Sequence, residues 1–146
     1  MNERKAAVEM GAEEAKALWE QAVKAREQSY SPYSGYQVGA ALLCDDGQVF
    51  GGCNIENSAF GPTNCAERTA FFTAVAAGCR NFAAIAIAGG RKRLEKCYPC
   101  GVCRQVMMEF CDPEKFQIIL ATSKEQYEIF TLKELLPLGF GPNNLK

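Results

Sequence analysis

Three cysteines stand at the heads of two helical patterns: Cys65 in Cys65-Ala66-Glu67, and Cys100 and Cys103 in Pro99-Cys100-Gly101-Val102-Cys103. Backbone N–H groups and the helix dipole at such positions stabilise thiolates, the form that binds metal. One metal taking all three sulfurs would oblige the chain to bring two helix N-termini to a single point. No histidine occurs anywhere in the 146 residues, so imidazole is excluded as base, acid or ligand. Any metal must be held by sulfur or oxygen, and protons must move on a carboxylate or another group.

Eight cysteines in a short secreted chain would suggest a disulfide framework. The start, Met1-Asn2-Glu3-Arg4-Lys5, lacks the apolar stretch and small-residue cleavage site of a secretory signal. Reduced thiols, a metal site and a cytoplasmic location are therefore expected. The net charge of −1 gives no general attraction to nucleic acid or anionic lipid, and no apolar run approaches a membrane span. The expectation is one domain over residues 1–146, with residues 1–11 and the last few frayed.

Apolar residues Ala15, Leu18, Trp19, Ala22, Val23 and Ala25 fall at helical spacing within residues 12–29. Ser29 to Gly35 reads as a turn. Val38–Leu43 and Gln48–Cys53 around Asp45-Asp46-Gly47 read as a β-hairpin. Residues 54–64 read as a loop, and a helix is predicted from Cys65 to Ala77, stopped by Gly78. Phe82–Ala88 is an apolar strand closed by Gly89-Gly90, and Arg91 to Tyr98 a polar loop. Pro99 sits where a helix can begin, running to Phe110. Phe116–Ala121 and Gln126–Thr131 are further strands, and Thr131 with Glu134 has capping-box spacing for a short last helix. Strand–helix–strand units favour an α/β fold with parallel pairs covered by helices.

Three protein ligands leave one tetrahedral position of a zinc ion open, which suits a water whose pKa the metal lowers. Glu67, two residues beyond Cys65, lies in the same helical turn and can face that position without being a ligand. This is the all-cysteine form of the zinc-deaminase signature. Three thiolates on one zinc carry a net negative charge, which weakens its Lewis acidity. Arg68 is expected to donate to ligand sulfurs and draw charge from them. A redox dithiol at Cys100 and Cys103 and a closed four-sulfur site recruiting Cys97 remain open alternatives. Cys44, Cys53, Cys79 and Cys111 are expected to be small buried hydrophobes.

Beyond the metal, the chain carries Pro32-Tyr33-Ser34, Val38-Gly39-Ala40-Ala41-Leu42-Leu43, Cys53-Asn54-Ile55-Glu56-Asn57, Cys65-Ala66-Glu67-Arg68-Thr69-Ala70, Pro99-Cys100-Gly101-Val102-Cys103-Arg104-Gln105-Val106, Leu135-Leu136-Pro137 and Phe140-Gly141-Pro142. In this order they resemble the small cytidine deaminases, from about Ser29 to Pro142. The resemblance implies a three-layer α/β/α fold with a five-stranded mixed sheet. It also implies one zinc per subunit and a homotetramer whose active sites neighbours complete. The implied reaction is hydrolytic deamination of cytidine and deoxycytidine, a step of pyrimidine salvage. In it Glu67 takes a proton from the attacking water, passes it to N3, and helps the amine leave as ammonia.

By the same resemblance Asn54 and Glu56 grip the ribose, the Ala66 carbonyl accepts from the exocyclic amine, and Tyr36 packs near the base. Phe60 lies near the sugar, and Phe140 reaches a neighbour's pocket to stack on the pyrimidine. The residues by themselves would equally read as a loop turn, a solvated charge and core aromatics. The chain departs from the usual pattern at Tyr36-Gln37 for Phe-Pro, Phe60 for Tyr and Tyr98 for Ser. Other readings kept open are a different amino-heterocycle nucleoside, a polynucleotide-editing enzyme and a zinc-stabilised interaction module. Arg91-Lys92-Arg93 with Lys96 is the only dense basic run, and with no wider basic stripe nucleic acid is disfavoured as a partner.

Overall fold

A computed structural model describes residues 10–123 and 126–146; the lead Met1-Asn2-Glu3-Arg4-Lys5 lies outside them. Ala15, Leu18, Trp19 and Ala22 form the buried stripe of helix α1, Ala12–Arg26. The helix stops short of Ser29 because Glu27, Gln28 and Ser29 donate to carbonyls three residues back, tightening the last turn. The hairpin follows as strands β1, Gln37–Cys44, and β2, Val49–Cys53, with Gly47 at φ 93° in the turn. Helix α2, Ala66–Ala76, has Cys65 as its N-cap and is followed by Gly78 at φ 98°, as a left-handed stop requires.

Strand β3 spans Phe82–Gly90. Gly89 and Gly90 do not close it as expected: they pair with Val38 and Gln37, so the ladder continues through them. Helix α3 spans Gly101–Phe110 with Cys100 as N-cap, which puts Pro99 one residue outside the cap rather than inside the helix. Strands β4, Gln117–Ala121, and β5, Tyr127–Thr131, complete the sheet. Helix α4, Leu132–Leu135, starts with the expected capping box of Thr131 and Glu134. Pro142–Leu145 form a 3-10 turn.

The sheet has five strands in the order β2-β1-β3-β4-β5. Only β3 and β4, the pair joined through α3, run parallel; the other pairs are antiparallel. Alternation splits the strands between two cores. Val38, Ala40, Leu42, Ile85, Ile87, Ile118 and Leu120 face Ala66, Ala70, Phe71 and Met107 of α2 and α3. Ala41, Ala84, Ala86, Ala88 and Ile119 face α1. The result is the three-layer α/β/α arrangement with a mixed sheet.

Small residues on the α1 face let that helix approach closely: a Cβ on Gly39 would stand 2.1 Å from the Ala22 carbonyl oxygen. On the other face a Cβ on Gly52 would stand 2.5 Å from both Ala66 O and Ala70 N. These are backbone atoms, so Gly52→Ala must push back the N-terminal turn of α2. The variant is expected to lose about 2–3 kcal/mol of stability, read as a fall in the urea midpoint. An unchanged midpoint would show that α2 can retreat freely. Farther along α2, Phe71 packs against Phe82, Phe110 and Phe116 and ties that helix to α3 and the sheet.

Candidate metal centre and active site

The helix N-termini of α2 and α3 meet. Cys65 Sγ lies 3.8 Å from Cys100 Sγ, and Cys100 Sγ lies 3.4 Å from Cys103 Sγ. All three sulfurs fall within 4.8 Å of one another, and among the described residues this is the one such group. Tetrahedral zinc with bonds of about 2.3 Å sets sulfurs about 3.8 Å apart, so the triad fits that ion. The triad draws its sulfurs from two chain segments: Cys65 on one, Cys100 and Cys103 on the other. Cys97 is outside it, which weighs against a closed four-sulfur site. A third sulfur beside Cys100 and Cys103 equally distinguishes the centre from a simple redox dithiol.

Local structure sets each sulfur. Cys100 caps α3, its Sγ accepting from the Cys103 N–H at 3.5 Å. Cys103 points back from the first turn and is buried. Arg68, one turn into α2, donates from Nη2 to Cys65 Sγ at 3.2 Å, as its position in the sequence led one to expect. The neighbouring Cys103 thiol first, and then the Arg68 guanidinium, hold the Cys65 thiol well below its usual range. The proximity of Cys65, with burial, pushes Cys103 up. Arg104 serves elsewhere: its Nε donates to Pro99 O and its Nη1 to Leu135 O, clamping α3 to α4.

Glu67 is 4% exposed, one of only two buried polar side chains among the described residues. Burial pushes its carboxyl up to about 7, with the Cys65 charge adding to the rise. A carboxyl shifted in that direction holds a proton more readily than a solvated one, which suits a group that must accept a proton and pass it on.

Asn54 and Glu56 follow β2 and are already engaged. Asn54 Oδ1 accepts from Ser29 Oγ at 2.5 Å and Val38 N at 2.9 Å, and its Nδ2 donates to Tyr36 O at 2.8 Å. One N–H of the amide remains for a ligand. Glu56 accepts from Tyr33 N, Ser34 N and Ser34 Oγ. Those bonds, the Ser34 hydroxyl first, hold its carboxyl below the usual range, so it stays an ionised acceptor. The sequence alone did not single out Ser29 and Ser34 as the side chains that set this pair, because they act across a turn packed on another segment.

Glu56 and Phe60 share a cleft of about 460 Å³ with Tyr33, Ser34, Asn57 and Thr63. Phe60 is 74% exposed at φ 61°, an uncommon conformation for a bulky residue. Ala66 is buried, and its carbonyl oxygen lies against Gly52. Tyr36 packs against the core under α2 and α3, and its ring edge meets Gly89 alongside Cys97. Phe140 does not line the cleft of its own chain: its ring is 57% exposed and its carbonyl accepts from Gln105 Nε2 on α3. Of the basic run, Arg91 lies over the Tyr36 ring and Lys96 pairs with Glu128, so neither is a free cation.

The remaining cysteines divide. Cys44 and Cys111 are buried as expected. Cys53 and Cys79 are not the buried hydrophobes expected. Both are half-buried at element ends, where Cys53 donates to Gln28 O and Cys79 accepts from Gln48 Nε2.

Comparison with known proteins agrees with this geometry. Residues 12–119 match the cytidine and deoxycytidylate deaminase zinc-binding region. A cytidine deaminase of Sporosarcina psychrophila is 50% identical over 122 residues, 84% of this chain and 88% of that one. One from Halalkalibacterium halodurans is 49% identical over 123 residues, 84% of this chain and 91% of that one. The crystal structure of cytidine deaminase from Burkholderia pseudomallei superposes with a TM-score of 0.80 at 46% identity, covering 90% of this chain and 100% of that one. With two helix heads converging on three sulfurs and a buried carboxyl in the same turn, the chain belongs to the cytidine and deoxycytidylate deaminase family.

Proposed function

We propose that the whole chain is one deaminase domain that converts cytidine and deoxycytidine to uridine and deoxyuridine with release of ammonia. The observation that carries this is Glu67, buried in the first turn of α2 two residues beyond Cys65, the N-cap sulfur of the triad. Zinc, one ion per chain on Cys65, Cys100 and Cys103, supplies the Lewis acid that makes water a nucleophile near neutral pH.

Glu67 takes the proton of the attacking water and delivers it to N3 of the cytosine ring, which makes C4 electrophilic. Once the water oxygen has added at C4, Glu67 takes that hydroxyl's proton and gives it to the amine, which leaves as ammonia while C4 keeps the oxygen as a carbonyl. Arg68 offsets the negative charge of the thiolates through its bond to Cys65. Asn54 and Glu56 bind the ribose hydroxyls with the amide N–H and the ionised oxygens left over from their internal bonds. Tyr36 borders the base, Phe60 borders the sugar, and the Ala66 carbonyl takes the exocyclic amine. Phe140, exposed on a segment pinned to α3, enters the site of a neighbouring copy in a homotetramer. The site acts on a free nucleoside in the cytoplasm; no helix among the described residues is long and apolar enough to cross a membrane.

The test is spectrophotometric. Purified protein is expected to shift the ultraviolet absorbance of cytidine to that of uridine, and a strong zinc chelator to abolish the change. No change with zinc-replete protein would reject the reading. A preference for free cytosine, or salt-sensitive binding to single-stranded RNA, would replace the substrate class.

A further inference from the structure

The loop that follows β3 is rooted so that one of its exposed side chains reaches the turn carrying Tyr33 and Ser34. Gly90 has φ 148°, and a Cβ there would stand 1.9 Å from Arg93 O, so the chain folds back on itself where a side chain does not fit. The Glu95 N–H closes the loop on Gly89 O at 2.8 Å. From the end of α1, Arg26 holds the base of the loop. Its Nε donates to Gln37 O at 3.1 Å, and its Nη2 donates to Gly90 O at 2.5 Å and Arg91 O at 3.2 Å. Arg91 therefore springs from a fixed stretch of backbone.

Its side chain crosses to the turn. The guanidinium lies 5.8 Å from the Tyr36 ring centroid, and Nε donates to Ser34 O at 3.2 Å. Ser34 in turn holds both oxygens of Glu56: its N–H donates to Oε1 at 3.1 Å and its hydroxyl to Oε2 at 2.5 Å. The Tyr36 N–H donates to Ser34 Oγ at 2.9 Å, and the Tyr33 N–H to Glu56 Oε1 at 2.9 Å. One line of hydrogen bonds thus runs from α1 to the carboxylate, through Arg26, Arg91, Ser34 and Glu56. Tyr33, Ser34 and Gly35 are exposed, so water competes for these bonds. A tie from outside the turn restricts the positions that the Ser34 donors can take.

We propose that Arg91 is a positioning residue for the ribose end of the site: by holding the Ser34 carbonyl it fixes the two Ser34 donors, and through them the Glu56 oxygens that meet the sugar hydroxyls. This rests on the reading that Glu56 binds the ribose. Arg91 acts through Ser34 and not on the substrate. A planar guanidinium stacked on Tyr36 suits the task, because the ring keeps the fork aimed at the carbonyl. The sugar contact is made alike in ground state and transition state, so loss of Arg91 raises KM and leaves kcat alone.

The test compares the parent, Arg91→Ala and Lys92→Ala as full-length, zinc-loaded proteins. Lys92 is the adjacent exposed cation and lines a different cleft, with Arg26 and Thr122. With cytidine, Arg91→Ala is expected to raise KM about three- to tenfold with kcat within about twofold, and Lys92→Ala to stay within about twofold of the parent. 2′,3′-Dideoxycytidine lacks the hydroxyls that Glu56 would meet. The advantage of cytidine over it in kcat/KM should shrink about three- to tenfold in Arg91→Ala. An effect passed through the Tyr36 ring, or through a general loss of stability, falls on both nucleosides and cancels in that ratio. An unchanged ratio, a fall confined to kcat, or an equal effect in Lys92→Ala would overturn the proposal. Amide hydrogen exchange reads the tie without any nucleoside: exchange over residues 33–36 should quicken in Arg91→Ala, and unchanged exchange would overturn the tie. A parent that leaves cytidine unchanged would sink the functional reading, and the exchange result would then decide by itself whether Arg91 holds the turn.

Discussion

Replacing Glu67 by glutamine is expected to lower kcat for cytidine by about 10³- to 10⁴-fold while zinc content and fold are kept. The reasoning starts from shape. Glutamine fills the same buried space, and an amide is cheaper to bury than a carboxylate, so the first turn of α2 has no cause to move. The sulfurs of Cys65, Cys100 and Cys103 are untouched, so metal affinity should change little. What disappears is the ability to take and return a proton, because a neutral amide does neither near pH 7. The measurement pairs steady-state rates with zinc content by emission spectroscopy and nucleoside affinity by calorimetry. Turnover close to that of the parent would remove Glu67 as the shuttle, and with it the reading of the site.

The second large effect concerns the metal. Cys100→Ser should cut zinc affinity by about 10²- to 10³-fold, because it replaces a soft thiolate by a weak hydroxyl donor. Cys100 is the variant of choice because it is exposed and caps α3. Serine is itself a good N-cap, so the helix start survives the change. Cys103 is buried beneath it, and a change there would mix ligand loss with packing loss. Dialysis against graded chelator, followed by zinc analysis, reads the shift. The companion Cys97→Ser should hold zinc like the parent, since Cys97 lies outside the triad. The reverse pattern, with zinc kept in Cys100→Ser and lost in Cys97→Ser, would mean that the metal is held by a different sulfur set.

Sequence reading and structure agree where one physical rule acts over a short stretch. The apolar stripe of α1, the hairpin around Gly47, the left-handed stop at Gly78 and the Thr131–Glu134 box are each fixed by neighbours within a few residues. The sulfur triad was legible for a related reason: without histidine, the groups at helix heads that could gather round a metal are few, and Cys65, Cys100 and Cys103 do converge.

What the sequence by itself determined is the set of groups available to this chain: sulfurs at helix heads, a carboxyl within the same turn, no imidazole, and segments of the right period for a layered α/β fold. What only the tertiary structure decided is how segments distant in sequence share atoms. Gly89 and Gly90 read locally as breakers, yet they extend β3 because β1 runs alongside and pairs with both. Ser34 reads as a turn residue, yet it holds Glu56. Propensity and periodicity are properties of one stretch of chain, whereas these contacts exist only once two stretches are packed together, so no local pattern can announce them.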